Sequence, residues 1–261
     1  MDQKKKIGFI GMGNMASAIA GGIIKSGFID GKNVYAFDID SDKLAKMNLE
    51  FGIIGCKSEI DLVETVDMIV MAVKPNIVED VILKVKAKLE NKAVISIVAG
   101  YDFTLYNQLL LPTTRHLTIM PNTPALVLNG MTLFEKENSL TDDELEFSTK
   151  MFSSIGEVVV LPSYQMKAGG SISGCGPAFV YMFIEAMADG GVSLGLPRDV
   201  AYKLASQTLI GSGMMQKITK LHPGILKDQV CSPGGITIKG VEALEENGFR
   251  NAIIKAIKES N

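Results

Sequence analysis

Short apolar runs alternate with stretches of helical periodicity over the first hundred residues of the chain. The apolar runs are rich in β-branched residues and bounded by turn residues, as buried strands are, and they lie at residues 7–10, 34–37, 68–73 and 94–99. Helical spacing is found between them, at residues 15–26, 41–51 and 76–89. This alternation predicts a parallel sheet covered by helices on both faces. Further runs extend the sheet or its edge, at residues 117–120, 131–134 and 158–161.

After Pro162 the pattern becomes helical, and no further strand is predicted. The spacing indicates helices at residues 177–194, 197–218, 238–246 and 249–258. In the first of these, Glu185, Asp189 and Ser193 form one narrow polar stripe, and apolar or small residues occupy the other faces. Such a helix must be covered from several directions, so we expect a homodimer at least. The alternative is that the helix is simply the core of a helical domain.

Composition and charge exclude several classes of function. Apolar residues make up 47% and charged residues 21% of the chain, as in ordinary globular proteins. The formal net charge is −3, without the basic excess that nucleic-acid binding requires. The run Lys4-Lys5-Lys6 is interpreted as a solvated lead-in to the first strand.

The chain is expected to be cytoplasmic and to lack a membrane partner. No apolar stretch approaches the roughly 18 residues that span a bilayer, and glycines interrupt the segment that a signal peptide would need. Cys56, Cys175 and Cys231 lie far apart with no CxxC pair. This spacing favours reduced thiols over a disulfide scaffold, and it predicts no zinc or other metal site.

The segment GFIGMGNMA at residues 8–16 matches the dinucleotide-binding fingerprint GxGxxG/A, between the first predicted strand and helix. Gly11 permits the tight turn, Gly13 lets the backbone approach a pyrophosphate, and Ala16 allows close packing on the sheet. Amides at the helix N-terminus then face the phosphates. The expected cofactor-binding residues of this turn are Gly11, Met12, Gly13, Asn14 and Met15. The alternative is a structural glycine turn without a ligand.

Asp38 closes the second predicted strand, near the spacing expected for an acceptor of the ribose diol. Its charge favours NADH and repels the 2′-phosphate of NADPH, so NADH is the expected donor. Ser41 or Lys43 could still reach a phosphate, and NADPH therefore stays open. The alternative for Asp38 and Asp40 is an ordinary solvated turn.

Ligands of open parallel sheets lie beyond the carboxyl ends of the strands. The segment AVKP follows the apolar run at 68–73, and Ala99-Gly100 follows the next run. We therefore expect cofactor contacts from Ala72, Val73, Lys74 and Pro75. For Lys74, a plain surface position is equally compatible with the sequence.

Three later segments place prolines or glycines around polar residues: MPNTPAL at 120–126, SGCGPA at 173–178 and LKDQVCSPGGIT at 226–237. In the last, glycines expose backbone amides at a helix N-terminus and Thr237 adds a hydroxyl. Together they form an anion site that can hold a carboxylate without arginine. From the residues alone, a glycine-rich turn between helices without a ligand accounts for this segment equally well.

Along nearly its whole length the chain resembles the pyrroline-5-carboxylate reductase family. The matching segments are residues 8–16, 72–75, MPNTPALV at 120–127, 173–178, EAMADGGVSLGLPR at 185–198, HPGxLKDxVCSPGGxT at 222–237 and GFR at 248–250. The resemblance implies an α/β N-terminal Rossmann-type dinucleotide-binding domain, placed at 1–162. It also implies an all-α C-terminal dimerisation domain, placed at 163–261.

The resemblance implies NAD(P)H-dependent hydride transfer to the C=N bond of 1-pyrroline-5-carboxylate, which gives L-proline in the last step of proline biosynthesis. It further implies interleaved homodimers, often assembled into decamers, with the active site between the cofactor cleft and the partner's helices. Because the cofactor supplies the chemistry, the protein would act mostly through positioning and electrostatics.

Thr237 is the candidate catalytic residue, because its hydroxyl could hydrogen-bond the substrate's ring nitrogen. The amides of Gly234, Gly235 and Thr237 would bind the carboxylate. The expected substrate-binding residues are Val230, Ser232, Gly234, Gly235 and Thr237, and Asn122 joins the expected cofactor site. His116 and His222 are interpreted as structural.

Three positions depart from the family pattern: Gly170 stands where many relatives have Thr, Cys175 where Ser is common, and Asp38 where Ser, Thr or Asn is frequent. Two rival functions fit the sequence less well. A β-hydroxyacid dehydrogenase or imine reductase would need a catalytic lysine, for which Lys167 is the local candidate in a segment that does not match. A non-catalytic dinucleotide sensor would predict a damaged 232–237 loop, and this loop is intact.

Overall fold

The chain divides into two compact units, one ending at Gly174 and one over Cys175–Asn261, in a computed structural model that describes residues 5–261. Lys4 of the lysine run lies outside the described residues. The first unit holds an α/β sheet and the second holds only helices among its described residues. The predicted fold class, a Rossmann-type α/β unit followed by a helical one, is confirmed.

One eight-stranded sheet forms the centre of the first unit. Its strands are β1 (Ile7–Ile10), β2 (Val34–Phe37), β3 (Ile54–Gly55), β4 (Met68–Met71), β5 (Ala93–Ser96), β6 (Arg115–Met120), β7 (Gly130–Glu135) and β8 (Gly156–Leu161). Their order is β3-β2-β1-β4-β5-β6-β7-β8. Strands β1 to β6 are parallel, β7 pairs antiparallel with β6, and β8 lies parallel to β7 at the edge. The predicted runs at 68–73 and 94–99 were too long at their ends, and β3 was not predicted.

Seven α-helices connect these strands or follow them: α1 (Asn14–Lys25), α2 (Ser41–Phe51), α3 (Glu59–Thr65), α4 (Val78–Val85), α5 (Phe103–Leu109), α6 (Asp142–Ser153) and α7 (Ser163–Ser173). Helix α2 is ended by Gly52 in the left-handed conformation. Gly27 follows α1 in the same conformation, one residue beyond the cap Ser26. The predicted helix at 76–89 is α4 flanked by 3₁₀ turns at Pro75–Ile77 and Lys86–Leu89.

Two apolar cores cover the two faces of the sheet. On one face, Phe9, Val70 and Ile95 pack with α1 residues such as Ile19. On the other, β-strand residues pack against α3, α4 and Tyr106 of α5. Because β1 and β4 are buried on both sides, their sequences are continuously apolar. This burial fixes the strand ends around which the candidate site is built.

The second unit consists of α8 (Gly176–Ser193), α9 (Arg198–Thr219), α10 (Pro223–Val230), α11 (Ile236–Glu246) and α12 (Phe249–Glu259). The predicted helices correspond to α8, α9, α11 and α12, whereas α10 was not predicted. Pro177 lies in the first turn of α8, but Pro197 is the residue before α9 rather than its first. Helices α8 and α9 leave large apolar side chains exposed, including Met182 at 68% and Ile210 at 60%.

Among the described residues, one helical stretch, Ser163–Ser193, is long and apolar enough by length and composition to cross a membrane, with 11% of its most apolar window buried. The expectation that no stretch reaches this length was therefore wrong. Glycine, alanine and serine stand between the large apolar residues of this stretch. Its mean hydropathy nevertheless stays within the range of a membrane-spanning helix.

Candidate active site

The glycine turn after β1 is held by backbone contacts with the neighbouring strand ends. Gly11 has φ +92°, and a β-carbon there would lie 2.7 Å from the Ala72 carbonyl oxygen. Its N–H donates to the Phe37 carbonyl at 2.8 Å. Only glycine fits this conformation and this space, so the turn is locked between β2 and β4.

Gly13 presents its backbone to open space at the start of α1. It is exposed, and a β-carbon on it would meet nothing within 4 Å. Helix α1 has no side-chain cap and no acidic residue in its first turn, and the N–H of Ser17 makes the first helical bond, to Gly13 at 2.9 Å. The amides before Ser17 therefore have no partner within the helix. Together with the positive end of the helix dipole, they can bind an anion. These residues fit a dinucleotide pyrophosphate.

Asp38 does not project freely from the end of β2. Its Oδ2 accepts the N–H of Met12 at 2.7 Å and its Oδ1 accepts the N–H of Asp40 at 2.9 Å. The side chain is 10% exposed, and Lys43 Nζ lies 3.8 Å from Oδ1. Asp40 caps α2 by accepting the amides of Asp42 and Lys43. The sequence pattern indicates Asp38 only for ribose recognition, and its bond to the glycine turn was not predicted.

A cavity of about 480 Å³ lies beside the turn, between α1, α2 and the 3₁₀ turn Thr123–Val127. Its lining includes Met12 and Asn14 of the turn, together with Lys43 and Lys46. The two lysines give this space a partly basic wall next to the α1 N-terminus.

The strand-end segment after β4 lies next to the same turn. Ala72 donates its N–H to the Ile10 carbonyl at 2.9 Å. Val73 is half-buried, whereas Lys74 and Pro75 are exposed, with Lys74 preceding the 3₁₀ turn. Ala72 thus lies next to Gly11, and the exposed positions of Lys74 and Pro75 leave their cofactor role a prediction.

Asn122 connects three elements at the end of β6. It is 7% exposed, its Nδ2 donates to the Ser173 carbonyl at 2.9 Å, and its Oδ1 accepts the N–H of Met131 at 2.8 Å. These bonds use its acceptor oxygen and one of its donor hydrogens. A cofactor contact can still use the second lone pair of Oδ1, the remaining Nδ2 hydrogen or the backbone.

The second unit contains another exposed helix start, at α11. Gly234 has φ +69°, and Gly235 precedes the helix with its N–H bonded to the Ser232 carbonyl at 3.0 Å. Helix α11 has neither a side-chain cap nor an acidic residue in its first turn, where half-buried Thr237 lies. Val230, at the end of α10, is 66% exposed. The arrangement is suited to a small anion such as a carboxylate.

Comparison with known proteins gives the context of these two helix starts. Residues 163–261 match the family model for pyrroline-5-carboxylate reductase dimerisation, and residues 6–100 match that for NADP oxidoreductase, coenzyme F420-dependent. The pyrroline-5-carboxylate reductase of Escherichia coli K12 is 41% identical over 97% of this chain and 95% of its own length. That of Methanosarcina acetivorans is 38% identical, over 98% and 95%. The chain belongs to the pyrroline-5-carboxylate reductase family.

A solved structure extends this similarity to three dimensions. The crystal structure of Plasmodium falciparum pyrroline carboxylate reductase with NADP bound has a TM-score of 0.91, at 32% identity, over 99% of this chain and 96% of that one. The predicted family is thereby confirmed, and so is its class, an NAD(P)H-dependent oxidoreductase.

The remaining polar residues singled out in this reductase-family chain have structural partners or exposed positions. His116 is 2% exposed, with its ring near the Phe103 carbonyl and the Ser139 hydroxyl, both at 3.3 Å, and burial lowers its pKa. His222 accepts the N–H of Gly224 at the start of α10. Lys167 is exposed on α7.

Proposed function

We propose that this chain reduces 1-pyrroline-5-carboxylate to L-proline, with a reduced nicotinamide dinucleotide as the donor, in the last step of proline biosynthesis. One observation carries the proposal: two helices, α1 and α11, each follow a glycine-rich turn and begin with neither a side-chain cap nor an acidic residue. A dinucleotide and a small carboxylic acid each need one such anion site. The sequences around both starts belong to this family.

The chain's own residues then have two roles, which are to bind the substrate and to hold the proton at its ring nitrogen. When bound, the dinucleotide would supply the hydride for the C=N carbon, and the substrate's ring nitrogen keeps the proton of its iminium form. Amides at Gly234 and Thr237 hold the carboxylate, while the N–H of Gly235, bonded to the Ser232 carbonyl, keeps the turn closed. Val230 and Ser232 lie against the ring. The Thr237 hydroxyl hydrogen-bonds the ring nitrogen, and this positioning supplies most of the rate enhancement.

NADH is the preferred donor in this proposal. The carboxylate of Asp38 lies next to the glycine turn, where it accepts hydroxyls and repels a 2′-phosphate. Lys43, with Nζ 3.8 Å from Asp38 and 3.6 Å from Asp40, reduces that repulsion, so NADPH remains a usable donor. Assays with both donors side by side measure the preference.

The assembly proposed is a homodimer at least, with a decamer of five dimers as the larger form. The exposed apolar side chains of α8 and α9, in a region that matches the family model for dimerisation, support burial by a second copy. In this proposal, residues 1–162 form the dinucleotide-binding domain and residues 163–261 form the dimerisation domain. The protein acts in the cytoplasm.

The experiment mixes the purified protein, NADH and 1-pyrroline-5-carboxylate, and follows loss of the near-ultraviolet absorbance of NADH together with proline formation. Stoichiometric proline supports the proposal. Binding of NADH with no turnover would support a dinucleotide sensor instead, and turnover of β-hydroxyacids would support a dehydrogenase.

A further inference from the structure

The amide of Met12 is the link between Asp38 and the dinucleotide turn. Met12 lies between the two glycines of the turn, is 1% exposed, and donates its N–H to Asp38 at 2.7 Å. A buried amide without a partner is costly, and a bond to a carboxylate is stronger than one to a neutral acceptor. Asp38 therefore fixes the backbone direction between Gly11 and Gly13.

The other carboxylate oxygen ties the same group to α2. Oδ1 accepts the N–H of Asp40 at 2.9 Å, and Asp40 in turn caps α2. The 10% exposure of the Asp38 side chain and these two backbone bonds hold it against the turn. One carboxylate thus joins the end of β2, the turn after β1 and the start of α2.

We propose that Asp38 is a positioning residue for pyrophosphate binding, acting through the Met12 amide, in addition to any contact it makes with the ribose. By fixing Met12, it sets where Gly13 exposes its backbone and where the α1 amides point. The inference rests on the proposed function only in taking the ligand to be a nicotinamide dinucleotide. It predicts that loss of the carboxylate weakens the binding of every ligand with the pyrophosphate, including one that has no ribose hydroxyls.

The probe is 2′,3′-dideoxyadenosine diphosphate, which keeps the diphosphate but lacks the diol that Asp38 would read. Its affinity, and those of NAD⁺ and NADP⁺, are measured by calorimetry and by displacement of bound NADH. In Asp38→Ala we expect about tenfold weaker binding of the probe, a larger loss for NAD⁺, which also loses its diol contact, and a smaller loss for NADP⁺, whose 2′-phosphate is no longer repelled. Asp38→Asn keeps one oxygen, which can accept the Met12 N–H while the bond to the Asp40 N–H is lost, so we expect the probe to bind within about threefold of the wild type.

The matched control is Asp30→Ala, which removes another capping aspartate, bonded to the Lys32 amide, away from the turn. It should leave the probe's affinity unchanged. If Asp38→Ala binds the probe as well as the wild type while losing NAD⁺, Asp38 only reads hydroxyls and the proposal is overturned. If Asp38→Ala does not fold, Asp38→Ser replaces it, because its hydroxyl is attached one carbon nearer the backbone than the carboxylate oxygen that accepts the Met12 N–H. Probe binding by Asp38→Ser equal to that of Asp38→Asn would overturn the proposal as well.

The outcome is separable from that of the proposed function. A wild-type protein that binds the probe and both coenzymes but forms no proline would refute the proposed reaction and leave the role of Asp38 intact. A wild-type protein that binds none of the three would refute both.

Discussion

Met120 of β6 fills the space beside Gly170 of α7: a β-carbon on Gly170 would overlap the Met120 sulfur and lie 2.9 Å from its Cε. The Met120 side chain thus takes the volume that a side chain at position 170 would need.

Gly170→Ala should consequently lower the free energy of unfolding by about 1–3 kcal/mol through overpacking, less the ~1 kcal/mol that alanine gains in a helix. In a Met120→Ala background the overlap is gone, and the same substitution should become stabilising. Urea unfolding of the four proteins measures the change of sign. Identical effects in both backgrounds would show that the two side chains are not coupled.

Alanine substitutions at the two turn glycines, Gly11 and Gly13, should have different effects on stability and on NADH binding. Gly11→Ala forces a left-handed alanine against the Ala72 carbonyl, so thermal unfolding should show a loss of at least about 2 kcal/mol. Gly13→Ala meets nothing and should stay within about 0.5 kcal/mol of the wild type. Its methyl would nevertheless occupy the approach of the pyrophosphate, and NADH affinity should fall about tenfold. Unchanged NADH binding by Gly13→Ala would contradict the assignment of this turn.

Thr237→Ala should reduce kcat about a hundredfold, because the substrate's ring nitrogen loses its hydrogen-bond partner. Thr237→Ser keeps the hydroxyl and should recover most of the rate, while NADH affinity stays the same in both variants. The control Thr208→Ala removes a hydroxyl bonded to the Leu204 carbonyl in α9. Steady-state kinetics with full activity in Thr237→Ala would remove this residue from the mechanism.

Acid should destabilise the fold through His116. Burial lowers the native pKa of this ring, whereas the unfolded ring titrates near its ordinary value, about 6.5. Between these pKa values only the unfolded chain takes up the proton, so stability is full above about pH 6.5 and falls as the pH decreases. Unfolding free energies of His116→Asn should show a shallower decline over that window. An unchanged decline in His116→Asn would contradict this assignment.

Ile210→Glu should dissociate the proposed homodimer, because it replaces an apolar side chain that is 60% exposed on α9 with a charged one. Leu83→Glu is the matched control, since Leu83 is 71% exposed on α4 of the first unit. Light scattering coupled to size-exclusion chromatography gives the mass of each. Equal masses for the two variants at dilute concentration would argue against burial of α9 by a second copy.

Much of the sheet was predictable because β1 and β4 are short, continuously apolar and buried, and turn residues bound them. Helices α3, α5, α6, α7 and α10 were not predicted, although α3, α6 and α10 carry capping signals: Ser58, the Thr141–Glu144 capping box and Pro223 after His222. The helices α3, α5 and α10, of 7, 7 and 8 residues, are too short for apolar periodicity alone to identify them. The two-residue β3 is specified by its pairing with β2 and not by its own sequence.

The candidate site was predictable where the backbone carries it, since closely spaced glycines between the first strand and helix of a βαβ series are a specific signal. The side-chain hydrogen bonds of the site were not predictable. Neither the bond between Asp38 and the Met12 amide nor the bonds of Asn122 to Met131 and Ser173 has a local sequence signal, because each joins residues distant in the chain. Such contacts follow from tertiary packing alone.

The position of β1 between β2 and β4 also governs how the chain can fold during synthesis. Ile7 needs both Val34 and Met68 as neighbours, so the centre of the sheet closes only after β4 has left the ribosome. Until then the apolar strand Ile7–Ile10 lacks its β4 partner, and an open edge of this kind can pair with another chain. Helices α8 and α9 are adjacent along the chain, so the packing of one on the other does not wait for a distant segment to be synthesised.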